Sequence, residues 1–223
     1  MSLTVKHEND KAYLGEDDHL ALSGKVSFTE MVYRTLSEQT PSEEQLNLFD
    51  LILNLSIDHG PDAPSAKATI EEAKKGESIS EAVAEGIEEI NDTHGGAIEP
   101  LMKLLYEMLE NNLTAEEVVK KFVNSDMKLP GFGHRIYKGE DPRAELIFKQ
   151  AEEFSLADKS ILLTRELRDQ LRQQTGKEEL PINIDGAIAA ILCGLDWQPK
   201  LGKAVFIVAR TPGLCAHYLN TIQ

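Results

Sequence analysis

The chain has 223 residues, enough for one sizeable domain or for one domain with a smaller subdomain. Its 41% hydrophobic and 27% charged residues are typical of a globular protein. Lys and Arg number 23 against 38 Asp and Glu, so the net charge of −15 argues against non-specific binding to nucleic acid or to an anionic membrane.

Cysteine usage and the distribution of apolar residues indicate the compartment. Cys193 and Cys215 both lie in apolar segments, so we expect free thiols in a reducing environment, not a disulfide framework or a metal cluster. No apolar stretch approaches the length of about 18 residues that a membrane span needs, and the N-terminal residues are polar. We therefore expect a cytoplasmic protein without a signal peptide.

Most of the chain is predicted to be helical, because helix-start signals recur and apolar residues follow them at helical spacing. Asp141 followed by Pro142 has the pattern of a helix N-cap and first helical residue, and Asp158 is expected to cap the next helix. Capping boxes, in which side chains at both ends of a four-residue motif satisfy free N–H groups, are predicted to begin at Ser27, Ser42, Ser78 and Thr114.

The last part of the chain is the most apolar. Residues 186–195 and 201–219 are nearly continuously apolar, which predicts helices buried on most sides. Residues 205–208 have high β propensity, but no neighbouring segment offers a strand partner, so we predict a helix there as well. The predicted fold class is all-α.

Three of the six histidines lie beside glycines in predicted loops: His59, His94 and His134. Glycine permits close approach of a ligand, although any one such histidine is more often part of an ordinary turn than of an active site. Three of them in one chain strengthen the catalytic interpretation. His7 and His19 lie in the polar N-terminal region, and we expect both to be inert.

Metal and phosphate sites are the competing interpretations of these loops. The histidines and cysteines lack the spacing of zinc ligands, and the glycines around residues 131–133 do not form a phosphate-binding loop. We predict no metal site.

Three charged residues lie at positions where a charge requires a structural or functional explanation. Asp185 lies at the start of the apolar helix, where it could serve as the N-cap or, held ionised by the helix N-terminus, as a base. Arg143 and Arg210 are candidate carboxylate clamps, and Arg210 interrupts an apolar stretch, so it requires a partner. His217, by contrast, is expected to be a structural, hydrogen-bonded residue.

Residues 131–138, Gly-Phe-Gly-His-Arg-Ile-Tyr-Lys, followed by Asp-Pro-Arg-Ala at 141–144, resemble the most diagnostic motif of citrate synthases. Other segments resemble further motifs of that superfamily in order and approximate spacing: residues 27–33 with 40–42, 58–61, 94–97, 183–186 and 209–213. The resemblance covers the chain from about residue 28 to its end, and six collinear motifs make it specific.

The resemblance implies a role for each candidate residue. Asp185 would move the proton at the methyl carbon of acetyl-CoA, His94 would stabilise the enol at the thioester oxygen, and His134 would polarise the oxaloacetate carbonyl. The dicarboxylate would be held by His59, Arg143 and Arg210, and coenzyme A would bind near Gly131, Phe132 and Gly133. Coenzyme A enters as a thioester substrate, and no tightly bound cofactor is implied.

The resemblance also implies a homodimer of helical subunits. Each would have a large domain, residues 1–110 and 183–223, and a small domain, residues 111–182, that closes over a cleft. Compared with full-length citrate synthases, the chain is short at its N-terminal side, lacks the tail that brings an arginine to the partner's site, and has Ile98 where Asn is common. Its shortness, the residues Asp-His-Gly-Pro at 58–61 and the ending that resembles Gly-Leu-x-Ala-His look more like stand-alone citryl-CoA lyases and the lyase module of ATP-citrate lyase.

The favoured activity is cleavage of citryl-CoA, or of a related acyl-CoA, to acetyl-CoA and oxaloacetate. One alternative is a minimal citrate or 2-methylcitrate synthase, which the presence of His94 suits. The other is a non-catalytic homologue that binds coenzyme A or a carboxylate. Retention of Asp185 argues against that alternative, because a binding protein has no need of a base.

Overall fold

The computed structural model describes residues 3–91 and 94–223, which form three short strands and eleven helices. In chain order these are β1 (Val5–Glu8), β2 (Lys11–Leu14), β3 (Asp17–Asp18), α1 (His19–Ser23), α2 (Phe28–Ser37), α3 (Glu43–Ser56), α4 (Pro64–Lys75), α5 (Ile79–Glu88), α6 (Ile98–Asn111), α7 (Ala115–Asn124), α8 (Pro142–Glu153), α9 (Asp158–Thr175), α10 (Ile184–Gly194) and α11 (Leu201–Ile222). The helical class is confirmed. The chain divides into two compact units, Met1–Leu51 and Ile52–Gln223. The division into a large and a small domain stays a prediction.

The first unit contains a small antiparallel sheet that the sequence did not predict. Strands β1 and β2 pair with Val5 opposite Leu14, and β3 adds to β2 with Tyr13 opposite Asp18. All four residues of β1 are exposed, so the strand has no apolar face and leaves no alternating pattern to detect. Its turn uses Asn9 and Asp10 at positive φ, a conformation that these residues tolerate better than most.

Most predicted helix starts are found at their expected positions, but neither Asp158 nor Asp185 is the cap of its helix. Ser42, Ser78 and Thr114 each form a reciprocal capping box with the residue three positions on. At Ser27 the structure shows one half of the predicted capping box: the Ser27 hydroxyl accepts from the N–H of Glu30, while the Glu30 carboxylate accepts from Arg34. Asp158, expected to be a cap, is instead the first residue of α9. The cap position belongs to Ala157, which has φ 61° and makes no side-chain cap bond.

Helix α10 forms the centre of the second unit, and every residue from Ile184 to Cys193 is buried. It packs against α6, α8 and α9, while α11 packs along α4, α5 and α6. Residues 205–208 are helical, as predicted, and lie within α11. Both cysteines are free, with Cys193 buried and Cys215 half-buried. None of the helices in the described ranges is long and apolar enough to cross a membrane.

A short contact between residues 131–133 and 181–183, here called the loop–helix seam, fixes the loop before α8 against the start of α10. Phe132 and Ile182 form an isolated antiparallel bridge, and the N–H of Gly133 donates to the carbonyl oxygen of Pro181 at 2.8 Å. Gly131 and Gly186 pack backbone to backbone, so closely that a Cβ on Gly186 would collide with the Gly131 carbonyl. The seam therefore places the glycine–histidine loop beside the N-terminus of α10.

Asn183 joins both sides of the seam with one side chain. Its Oδ1 accepts from the N–H of Gly186 at 3.1 Å, so Asn183, not Asp185, is the N-cap of α10. Its Nδ2 donates to the carbonyl oxygen of Gly133 at 3.0 Å, and its N–H donates to that of Gly131 at 3.0 Å. The interpretation of Asp185 as the N-cap is therefore wrong, and its carboxylate instead accepts from the N–H groups of Gly95 and Ala97.

We expect Asn183→Ala to lower the free energy of unfolding by about 1–3 kcal/mol, because it removes both a helix cap and the donor to Gly133. Asn183→Asp keeps the cap but places an acceptor against the Gly133 carbonyl, so it should lie between wild type and Asn183→Ala. Urea denaturation measures both, with Thr114→Ala as a capping control outside the seam. If Asn183→Asp is as stable as wild type, the bond to Gly133 contributes nothing.

Candidate active site

The second unit brings together all six side chains to which the sequence assigned catalytic or carboxylate-binding roles. They come from six places in the chain. His59 follows α3, His94 precedes α6, His134 lies on the loop before α8, Arg143 is in the first turn of α8, Asp185 is in the first turn of α10, and Arg210 is in the middle of α11.

Arg143 is the hub of one half of the cluster. Its Nε donates to Oδ1 of Asp141 at 3.0 Å and one terminal nitrogen donates to Oδ2 at 2.7 Å, a bidentate ion pair. Its two terminal nitrogens lie 3.3 Å from Nδ1 of His59 and 3.3 Å from Nε2 of His134. Asp141 is fully buried and also caps α8. The sequence identified Asp141 only as a cap, although its spacing from Arg143 also suits an ion pair.

The hydrogen bonds of His134 fix its tautomer. Its Nδ1 accepts from the N–H groups of Ile136 and Tyr137, both at 3.0 Å, so in the neutral ring the proton sits on Nε2. Burial, followed by the positive charge of Arg143, lowers the pKa of His134 and keeps the ring neutral. The Nε2–H and the Arg143 guanidinium are then two donors side by side, an arrangement that calls for an oxygen acceptor between them.

His59 is also held neutral. Burial, with the nearby charge of Arg143, lowers the pKa of His59 to about 4. Its ring meets that of His134 edge to face, with centroids 5.2 Å apart. Tyr137 stacks on His134 with a centroid distance of 4.7 Å, and Arg143 lies 5.3 Å from the Tyr137 ring centroid. The loop and α8 thereby form one packed group.

His94 and Arg210 share a hydroxyl in the other half of the cluster. Ser65 Oγ accepts from Arg210 at 3.4 Å and lies 2.9 Å from Nε2 of His94. A hydroxyl that accepts from a guanidinium can give its own proton to Nε2, which leaves the ring proton of neutral His94 on Nδ1. Burial, with the charge of Arg210, lowers the pKa of His94 to about 4. Sequence reasoning missed Ser65, because a serine in the first turn of a helix gives no distinctive signal.

Arg210 is only 1% exposed, and its partners are largely neutral. Its Nε donates to the carbonyl oxygen of Ser56 at 2.8 Å, and its guanidinium carbon lies 4.8 Å from the Phe206 ring centroid. In the described part of the chain no carboxylate forms an ion pair with it, and the nearest acidic influences are those of Asp58 and Asp185. A buried guanidinium in this state favours an anionic ligand.

Asp185 is the second buried carboxylate of the cluster after Asp141, with 7% of its surface exposed. Burial raises its pKa to about 6, although N–H groups of Ala97 and Gly95 and the charges of Arg143 and Arg210 oppose the shift. A carboxylate with this pKa is a stronger base than an exposed one and is still largely ionised near neutral pH.

The predicted coenzyme A contacts remain a prediction. Gly131, Phe132 and Gly133 all lie on the loop–helix seam next to His134, and Gly131 is buried whereas the other two are half-buried. The described residues contain no group of three or more His, Cys, Asp or Glu side chains suited to holding a metal ion.

Comparison with known proteins identifies relatives with this arrangement of helices. The family model described as citrate synthase, C-terminal domain, matches residues 4–223. The citrate synthase of Haloferax volcanii is 26% identical over 209 residues, covering 93% of this chain and 55% of that protein. The chain spans about half the length of the curated relatives it matches.

Two solved structures share the fold over nearly the whole chain. The citryl-CoA lyase of Hydrogenobacter thermophilus superposes with a TM-score of 0.91 and 32% identity, covering 98% of this chain and 85% of that one. The ATP citrate lyase of Methanosaeta concilii, solved with (3S)-citryl-CoA, superposes with a TM-score of 0.86, covering 97% of this chain and 38% of that one. Its 18% identity supports the fold alone. With its family model matched over almost every residue, the chain belongs to the citrate synthase family.

Proposed function

We propose that the chain cleaves citryl-CoA, or a closely related 3-hydroxy-3-carboxyacyl-CoA, to acetyl-CoA and oxaloacetate. The observation that carries the proposal is that two arginines and two neutral histidine donors lie in one cluster with the buried carboxylate of Asp185, whose pKa responds to the charges of both arginines. Such a site offers many donors and one base, which suits a substrate with several carboxylates and a carbon acid. The lyase of Hydrogenobacter thermophilus, 32% identical over most of both chains, supports cleavage as the direction.

The residues divide the work as follows. Arg143 and Arg210 hold the carboxylates of the substrate, and His59 adds a neutral contact beside Arg143. The Nε2–H of His134 binds the carbinol oxygen, which becomes the ketone oxygen of oxaloacetate. The Nδ1–H of His94 binds the thioester oxygen, on which negative charge develops as the enol of acetyl-CoA forms.

The proton balance of cleavage centres on Asp185. The carbon–carbon bond breaks, its electron pair moves towards the thioester carbonyl to give the enolate of acetyl-CoA, and the hydroxyl proton passes to the Asp185 carboxylate as the ketone forms. Asp185 begins as the carboxylate, receives one proton during the cycle and returns one to the methylene carbon, which becomes the methyl group of acetyl-CoA. The reaction therefore takes up no net proton, and the same protonation state of Asp185 serves cleavage and condensation.

Citrate synthase activity is the second candidate. It is supported by relatives named citrate synthase, whereas stabilisation of an enol by His94 would serve both activities. The two activities separate in the fate of the thioester, because a synthase also releases free coenzyme A by hydrolysis whereas a lyase does not.

Two parallel assays test the proposal. One supplies citryl-CoA and follows oxaloacetate, and the other supplies acetyl-CoA with oxaloacetate and follows free thiol. We expect rapid oxaloacetate formation in the first assay and little free coenzyme A in the second. Rapid thiol release in the second would instead establish a citrate synthase, and no reaction in either would leave a non-catalytic binding protein.

Asp185→Asn should lower kcat about 10²–10⁴-fold, the loss typical of a removed acid–base group. In wild type, kcat/KM should fall about tenfold per pH unit below the Asp185 pKa of about 6, because a protonated Asp185 cannot accept the proton. His59 and His94 do not titrate in that window, since their pKa values are about 4. Asp169→Asn, an exposed carboxylate, is the matched control.

The stability of the same variant gives an independent readout. Burial raises the Asp185 pKa, so the ionised carboxylate destabilises the folded state increasingly from about pH 4 to 6 and fully above that. Asp185→Asn should therefore exceed wild type in unfolding free energy by about 1–3 kcal/mol at pH 8, with the difference vanishing near pH 4. Turnover close to wild type in this variant would show that Asp185 is not the base.

We also propose that the second unit forms a homodimer. Four apolar residues along α5, α11 and the end of α3 stay between 38% and 55% exposed: Ile57, Ile79, Leu219 and Ile222. A symmetric pair of subunits is the simplest way to cover such surfaces. Sedimentation at micromolar concentration should give a dimer, and Leu219→Lys should shift it towards monomer. A wild-type monomer at that concentration contradicts the proposal.

A further inference from the structure

Three residues of α11 form a row along one side of the helix: Arg210, Gly213 and His217. Their spacing of three and then four residues places them on one helix face. Only Arg210 has a role in the proposed reaction. His217 lies about two turns further along and is 15% exposed at its side chain.

Each residue of this row contacts one residue of the segment 56–58, which leads to His59. Arg210 Nε donates to the carbonyl oxygen of Ser56 at 2.8 Å. Gly213 packs against the Ile57 carbonyl so closely that any Cβ there would collide with it. His217 Nε2 lies 2.8 Å from Oδ1 of Asp58. Three consecutive residues, 56 to 58, are therefore fixed in register on α11.

Asp58 connects the contact with α11 to the turn that carries His59. Its Oδ2 accepts from the N–H of Gly60 at 3.1 Å, and its carboxylate also accepts from the N–H of His59. The same carboxylate thus binds His217 on one side and closes the His59 turn on the other. Because Gly60 has φ 81°, the turn adopts a backbone conformation that needs such local support.

We propose that His217 is a positioning residue for the carboxylate site, acting through Asp58 to hold the His59 ring against Arg143. The inference rests on the proposed function only for the role of His59 in binding the dicarboxylate. A purely structural ion pair at a partly exposed site would contribute little to stability and nothing to ligand affinity. A positioning pair instead changes affinity, because a small displacement of His59 alters the geometry around the ligand.

Affinity for oxaloacetate, measured by calorimetry, separates these roles. His217→Ala should weaken binding about tenfold, a loss of one hydrogen-bonded contact, whereas His217→Gln, which can still donate to Asp58, should stay within about threefold of wild type. Tyr218→Phe is the matched control, since it removes a bond from the next residue of α11 to the carbonyl oxygen of Glu77, away from the turn.

A second background tests whether His217 acts through His59. In His59→Ala the further change His217→Ala should have no effect on oxaloacetate affinity, because the group it positions is gone. Equal losses in both backgrounds, or wild-type affinity in His217→Ala, would overturn the inference.

Histidine side-chain NMR tests the positioning role without a ligand, and the same spectra report whether each variant is folded. The ring C–H signals of His59 should shift in His217→Ala and return in His217→Gln, while Tyr218→Phe leaves them unchanged. If wild type binds no oxaloacetate, the proposed function fails and these spectra alone decide the positioning role. Unshifted His59 signals in folded His217→Ala would contradict it.

Discussion

One buried positive charge constrains the rest of this molecule. Arg210 lies almost fully inside the second unit, where its guanidinium binds a backbone carbonyl, a serine hydroxyl and an aromatic face, and no carboxylate of residues 3–91 and 94–223 forms an ion pair with it. Removing an unneutralised charge from water costs several kcal/mol even after relaxation. A fold that keeps such a charge gains most from it when an anion binds, so the arginine defines the class of ligand.

The buried positive charges also determine the protonation state of the nearby histidines. Burial and the fields of Arg143 and Arg210 hold His59 and His94 neutral, so they add hydrogen-bond donors without adding charge. Asp141 neutralises Arg143 directly and keeps its guanidinium oriented. The buried carboxylate of Asp185 lies in the same cluster, and its raised pKa is what burial predicts for the group that we propose as the base.

Two short backbone contacts hold these groups in place. The loop–helix seam ties the His134 loop to the helix that carries Asp185, and the α11 row ties the His59 turn to the helix that carries Arg210. In both, a glycine permits backbone approach and a polar side chain locks it, Gly186 with Asn183 and Gly213 with His217. The loops that carry His59 and His134, groups that we propose bind the substrate, are therefore held in place by contacts with helices α11 and α10.

The sequence predicted what depends on neighbours along the chain. Capping boxes at Ser78 and Thr114 are local patterns, and their helices begin where expected. Local pattern failed at Asp185, because whether it or Asn183 caps α10 depends on the seam to Gly133, which is 50 residues away. It also could not reveal Ser65, which meets Arg210 across 145 residues, or the β1–β2 hairpin, whose exposed strand lacks any apolar face.

The proposed site requires that Arg143 and Arg210 both bind the anion. A crystal structure of the protein with oxaloacetate tests this requirement. We predict carboxylate oxygens within hydrogen-bond distance of Arg143 and of Arg210, and the ketone oxygen on Nε2 of His134. Oxaloacetate bound away from Arg210, or with its ketone turned from His134, would contradict the account.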